Sequence, residues 1–152
     1  MSGFFGKLWA RVFNLLLGRK RGDYHRKAGE RFRQENGRRS GVTTTRSGLQ
    51  WEVLRAGEGA KPEFSSRVLV HYRGTLVNGT EFDSSYARGE PMAFGLLEVI
   101  SGWREGLQLM PVGSRFRFVI PPDGAYGGSG AGGLIAPWST LVFEVELLKI
   151  EG

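Results

Sequence analysis

The chain has 152 residues, 40% of them hydrophobic, enough for one packed domain plus an extension. It holds no cysteine and only two histidines, which excludes disulfides and thiolate nucleophiles and leaves no ligand spacing for zinc. The net charge of +6 is lopsided: residues 1–50 carry 12 of the 21 Lys and Arg but 3 of the 15 Asp and Glu, a balance of +9 against −3 for residues 51–152, so the basicity says nothing about the partners of the larger part.

Residues 3–17, GFFGKLWARVFNLLL, are apolar but interrupted by Lys7 and Arg11. The run is shorter than the about 20 residues a membrane span needs. It also makes a poor signal peptide, because no positive residue precedes Phe4 and no small-x-small site follows. As a helix it is amphipathic, with Phe5, Leu8, Trp9, Val12, Phe13 and Leu16 on one face and Lys7, Arg11 and Asn14 opposite. Arg19, Lys20, Arg21, Arg26 and Lys27 follow. Two roles stay open for residues 3–17: lying on an anionic membrane surface, or packing against a partner or a second copy. Nucleic acid is not expected, since no aromatic–basic platform for single strands is evident. The expected location is cytoplasmic, with peripheral attachment at the inner membrane as the variant such a helix would support.

Residues 23–37 predict a second helix. Asp23 is its N-cap, Tyr24, Ala28 and Phe32 share one side, and Gly37 ends it. Its other faces are charged, so exposure on most sides is expected, with a loose linker as the alternative.

From Val42 onward the pattern is β. Residues 48–57 and 114–121 read as strands, the latter alternating with Phe116, Phe118 and Ile120 on one face. Residues 66–73 and 75–83 read as a hairpin through Asn78-Gly79, a two-residue turn signal because both tolerate positive φ. Phe82-Asp83 then sets a carboxylate beside a ring. A buried aspartate needs partners, and Tyr72 and Arg88 are candidates. Residues 98–110 predict a short helix carrying Ile100, Trp103, Leu107 and Met110 on one face, with Ser101 as N-cap and Pro111-Val112-Gly113 as the stop. A glycine-rich loop spans 122–138, and 140–150 is the last strand.

This order resembles the FKBP-type peptidyl-prolyl cis–trans isomerases over residues 41–151. The resemblance rests on VHYRGTL, GTEFDSS, VISGW, MPVGSRFRFVIPP, AYGGSGAGGLI and STLVFEVELLKI. GVTTTRSGLQWEVL and RGEPMAF are most similar to the bacterial macrophage infectivity potentiator class. The resemblance implies an α+β fold, a twisted antiparallel sheet wrapped on a short helix. A helical extension (residues 1–40) would precede an isomerase domain (41–152).

It also implies a pocket. Trp103 would be its floor, and Tyr72, Phe82 and Phe143 its walls. Val99 and Ile100 would form the rim, and Leu134 and Ile135 the loop contacts. Tyr126 and the Ile100 N–H would bond ligand carbonyls, and Asp83 would pair with Arg88. Met92 stands where human-type members have phenylalanine, and Ala136 replaces the first proline of a usual Ile-Pro-Pro. Tyr72, Phe82, Asp83, Trp103, Tyr126 and Phe143 are thus the candidate catalytic set. The implied substrates are proline-containing polypeptides, the implied inhibitors are rapamycin-like macrolides, and no cofactor or metal is implied. A non-catalytic proline-binding or chaperone module, tethered by its helix, is the alternative.

Overall fold

Helix α1 runs unbroken over Phe4–Gly37. The computed structural model describes the backbone of residues 4–151 and the side chains of residues 21–151, so the expected apolar face of Phe5 to Leu16 lies outside the described side chains. The two-helix expectation does not hold. No proline falls between residues 17 and 23, and a glycine within a helix weakens it by only about 1 kcal/mol. Asp23 is therefore not a cap, and it lies 3.8 Å from Arg26, one turn on.

The helix is exposed on most sides, as expected, and what it buries is one narrow stripe. Gly22, Gly29 and Asn36 are buried at seven-residue spacing, a stripe that stays on one face. A Cβ at Gly29 would stand 2.3 Å from Thr140 Oγ1, so this approach requires glycine. Asn36 Nδ2 donates to Gln50 Oε1 at 2.8 Å, and Gln50 Nε2 donates to the Arg33 carbonyl at 2.8 Å. Tyr24 stays 69% exposed. No helix among the described residues is long and apolar enough to cross a membrane.

Among the described residues, seven strands form one antiparallel sheet: β1 (Thr43–Thr44), β2 (Gln50–Arg55), β3 (Arg67–Leu76), β4 (Glu81–Ser84), β5 (Met92–Gly95), β6 (Arg115–Ile120) and β7 (Leu141–Glu151). The order is β1-β2-β6-β7-β3-β4, with β5 pairing β3 as well. Strand β3 is long enough to take β5 beside Arg67–Val70 and β4 beside Arg73–Thr75, with β7 along its other edge. Val68, Val70 and Tyr72 alternate inward, as the period of two requires.

The hairpin turn differs from the two-residue reading. Leu76 N–H donates to the Thr80 carbonyl at 2.9 Å, so the loop it closes holds residues 77–79. Of the Asn78-Gly79 pair only Gly79 has positive φ, at 90°, and Asn78 Oδ1 instead accepts from Thr80 N–H at 3.0 Å.

Helix α2 is Ser85–Arg88 and helix α3 is Ser101–Leu107. Ser101 does not cap α3: Ile100 holds that position with no side-chain bond. Helix α3 sits directly on β6, because a Cβ at Gly102 would meet Ile120 at 2.5 Å and one at Gly106 would meet Phe118 at 2.6 Å. That contact brings Trp103 and Leu107 into a core with Val68, Val70, Phe118, Leu141, Val145 and Leu147.

Candidate active site

Strand β3 delivers Tyr72, β4 delivers Phe82 and Asp83, β7 delivers Phe143, and α3 delivers Trp103. The Trp103 ring is met edge-on from three sides: by Tyr72 at 5.2 Å, Phe94 at 5.4 Å and Phe143 at 5.3 Å between centroids, with interplanar angles of 80° to 87°. Phe82 in turn meets Phe143 at 5.4 Å and 90°. Edge-to-face packing is favoured by the ring quadrupoles. Trp103 also lines a cavity of about 280 Å³. Tyr72, Phe82, Asp83, Val99, Ile100, Tyr126 and Phe143 line that cavity with Trp103. The Trp103 indole N–H is buried without an acceptor.

Asp83 is held by a clamp that DSSYARG builds locally. Ser84 caps α2 by accepting from Ala87 N–H at 3.2 Å, and Gly89 closes it in the left-handed region at φ 79°. This short helix turns Arg88 back, so that Arg88 and the Tyr72 hydroxyl both donate to the Asp83 carboxylate. Burial alone would raise the Asp83 pKa, but the hydrogen bonds from Tyr72 and Arg88 outweigh it and hold the carboxyl below its usual range. Burial, then the bond to Asp83, raises the Tyr72 phenol.

Four of the expected pocket residues lie elsewhere. Arg88 stands behind the wall as the partner of Asp83 and Tyr72. Met92 packs against the core rather than the cavity, and Phe94, two residues along the same face of β5, supplies the ring. Leu134 is 55% exposed, while Ile135 is buried in the core cluster. The sequence reading passed over Phe94 and Glu98, both on the cavity lining. The alternation of Met92-Ala93-Phe94 sets Phe94 on the same strand face as Met92. Glu98 gave no signal beyond its place before Val99.

On the rim, the Ile100 carbonyl accepts from Trp103 and Arg104 N–H groups at 3.0 and 3.1 Å, and no described backbone carbonyl takes the Ile100 N–H. Tyr126 is 41% exposed, with its hydroxyl free to meet a ligand. The cavity holds no paired nucleophile and base, and no metal-binding trio of His, Cys, Asp or Glu occurs among the described residues. An apolar floor with two donors on its rim suits the binding of a cyclic apolar group flanked by carbonyls.

Residues 58–148 match the model of the FKBP-type peptidyl-prolyl cis–trans isomerase domain, and residues 17–53 match the domain that precedes it in such proteins. The chain belongs to the FKBP-type isomerase family. It is 56% identical over 122 residues to the FKBP-type 22 kDa peptidyl-prolyl cis–trans isomerase of Escherichia coli, covering 80% of this chain and 59% of that protein. It is 40% identical over 142 residues to the outer membrane protein MIP of Legionella longbeachae, covering 90% of this chain and 61% of that one. The FKBP relatives thus extend to the macrophage infectivity potentiator class.

The crystal structure of FkpA from Escherichia coli superposes with a TM-score of 0.90 at 42% identity, covering 97% of this chain and 70% of that one. The expected FKBP-like α+β fold and N-terminal helix are borne out by this match. The chain spans about half the length of the curated relatives it matches, 59% of the first and 47% of the second.

Proposed function

We propose that the protein accelerates rotation about X–Pro peptide bonds in polypeptide chains, and so assists their folding. The observation that carries this reading is Trp103, packed edge to face with Tyr72, Phe94 and Phe143 on the lining of a largely apolar cavity.

The X–Pro amide turns over tens of seconds or longer because resonance gives its C–N bond double-bond character. No bond has to break, so a site without a nucleophile is adequate. Twisting the amide removes the resonance and with it much of the carbonyl polarity. An apolar cavity favours that twisted state over the planar one. Proline on Trp103 anchors the chain, while the Tyr126 hydroxyl and the Ile100 N–H hold flanking carbonyls so that one side turns against the other. An acceleration of about 10⁵-fold corresponds to about 7 kcal/mol, within reach of desolvation combined with restraint.

A proline-peptide isomerisation assay, run with and without rapamycin, tests the reading. Catalysis that rapamycin suppresses supports it, and absence of catalysis from a folded chain overturns it. Macrolide binding is part of the proposal, supported by the same walls and rim donors. For residues 3–17 we propose attachment to an anionic membrane surface, placing the protein in the cytoplasm at the inner membrane. The amphipathic pattern and the basic run after it support this. Flotation of the full chain with anionic liposomes, lost in a Trp9→Ser/Phe13→Ser variant, would bear it out. Concentration-dependent self-association without flotation would point to a second copy instead.

A further inference from the structure

Trp138 is the only described non-glycine residue with positive φ, at 61°. For a large aromatic side chain this conformation is strained, and it persists only where its surroundings hold it. Those surroundings come from two different parts of the molecule. On one side is the loop that carries Tyr126: Trp138 N–H donates to the Gly127 carbonyl at 2.8 Å, and a Cβ on Gly128 would stand 2.9 Å from the indole. On the other is α1: a Cβ on Gly22 would stand 3.3 Å from the indole, and the Arg26 guanidinium lies 4.4 Å from the ring centre. Two glycines and one arginine therefore cradle the same ring. The Tyr126 carbonyl accepts from Gly130 N–H at 3.2 Å, so Tyr126 is placed by the backbone of the very turn that Trp138 grips.

We propose that Trp138 is a positioning residue, through which the docking of α1 fixes the Tyr126 loop at the rim of the pocket. The proposal rests on the pocket being the proline site. An event that bends or lifts α1 near Arg26 would then loosen Tyr126 without touching the cavity. Coupling by a shared side chain is a physical route, because the ring cannot keep its strained conformation once one wall of its cradle is withdrawn.

The test uses the full chain and two kinds of variant. Trp138→Asn keeps a residue that tolerates the left-handed region but removes the ring, and Arg26→Gln leaves the ring but removes the cation. Arg26→Lys is the conservative rescue. Hydrogen exchange of the amides in 126–136 reports the loop, and calorimetric binding of a proline-containing peptide reports the pocket. In both Trp138→Asn and Arg26→Gln, exchange in 126–136 should quicken and the peptide should bind about two- to fivefold more weakly, the range an exposed cation–ring contact spans. Exchange in β3 and β7 should stay unchanged, and Arg26→Lys should restore both readouts in part. Unchanged exchange at 126–136 overturns the proposal. So does quickened exchange with unchanged affinity, since the loop would then be free of the pocket. Failure of the isomerase reading shows separately, as a wild-type chain that binds the peptide but does not speed its isomerisation.

Discussion

Arg88 Nη2 donates to Tyr72 Oη at 2.9 Å, and both groups also donate to the carboxylate of Asp83. This three-way contact joins β3, β4 and α2 at one wall of the pocket. It makes the aspartate a holder of the wall rather than an attacking group, because its oxygens are already taken.

Asp83→Asn keeps the shape and removes the charge. The folded carboxyl sits below its ordinary pKa of 3.8, since the bonds from Tyr72 and Arg88 exceed the opposing effect of burial. A depressed acid contributes stability that is fully present above its ordinary pKa and is lost as the pH falls through the folded value. The melting temperature of the wild type should therefore exceed that of Asp83→Asn at pH 7, and the gap should close as the pH drops below 3.8. Both side chains of the ion pair are more than a third exposed, so the gap should be smaller than for a buried pair. Peptide kcat/KM should fall by no more than about tenfold, the loss of one charge-assisted bond. A gap that does not change with pH would remove the clamp as its cause.

The Trp103 position separates stability from binding. Its indole N–H is buried without an acceptor, so phenylalanine there relieves an unsatisfied donor while leaving a small void. Trp103→Phe should stay within about 1 kcal/mol of wild type in urea unfolding, because the two effects oppose each other. Trp103→Ala should lose about 3–5 kcal/mol through its cavity. Peptide affinity should fall in both, further in Trp103→Ala. A Trp103→Phe chain as unstable as Trp103→Ala would mean the indole N–H has an acceptor after all.

Gly74 tests the wall beside the Asp83 contact. It pairs with Asp83 across β4 and with Phe143 across β7, and a Cβ there would stand 2.6 Å from Phe82 and 2.8 Å from Phe143. Those two rings pack edge to face, so neither can yield without moving the other. Gly74→Ala should cost about 1–3 kcal/mol by overpacking and weaken proline-peptide binding. Unaltered affinity would show that the Phe82 and Phe143 rings can shift without reshaping the cavity.

Most of the sheet was legible because burial enforces its period. Val68, Val70 and Tyr72 alternate in the sequence and do so in β3. Trp103, Tyr72, Phe82 and Phe143 were legible as a group only through the family pattern, since α3 and β7 bring Trp103 and Phe143 to the β3–β4 hairpin from well beyond it in the chain. The turn at Asn78 was less legible, because the same dipeptide serves turns of different length and the side-chain bond to Thr80 selects among them. Helix α1 was read as two pieces for a related reason. Asp23 fits an N-cap when the helix is viewed alone, and no local signal shows that Gly22 and Gly29 are where it touches Trp138 and Thr140. A glycine's role in close approach depends on a neighbour more than a hundred residues away, and no local period reports it.

That contact yields a double-variant test of how α1 is held. Alanine at residue 29 would favour an isolated helix by about 1 kcal/mol over glycine. Here its Cβ would stand 2.3 Å from Thr140 Oγ1 and 2.9 Å from Thr140 Cβ, atoms fixed to the start of β7. The clash should win, so Gly29→Ala should lower the melting temperature and expose α1 to limited proteolysis. Thr140 is buried, and its hydroxyl has no partner. Thr140→Ala should therefore be neutral or stabilising, since it removes an unsatisfied polar atom. It also removes the shorter of the two clashes and leaves the 2.9 Å one. The double variant should then lie above the sum of the singles by about 1 kcal/mol and below Thr140→Ala alone. Strict additivity would mean that α1 moves away as a body when residue 29 gains a side chain, and that Gly29 and Thr140 do not set its position.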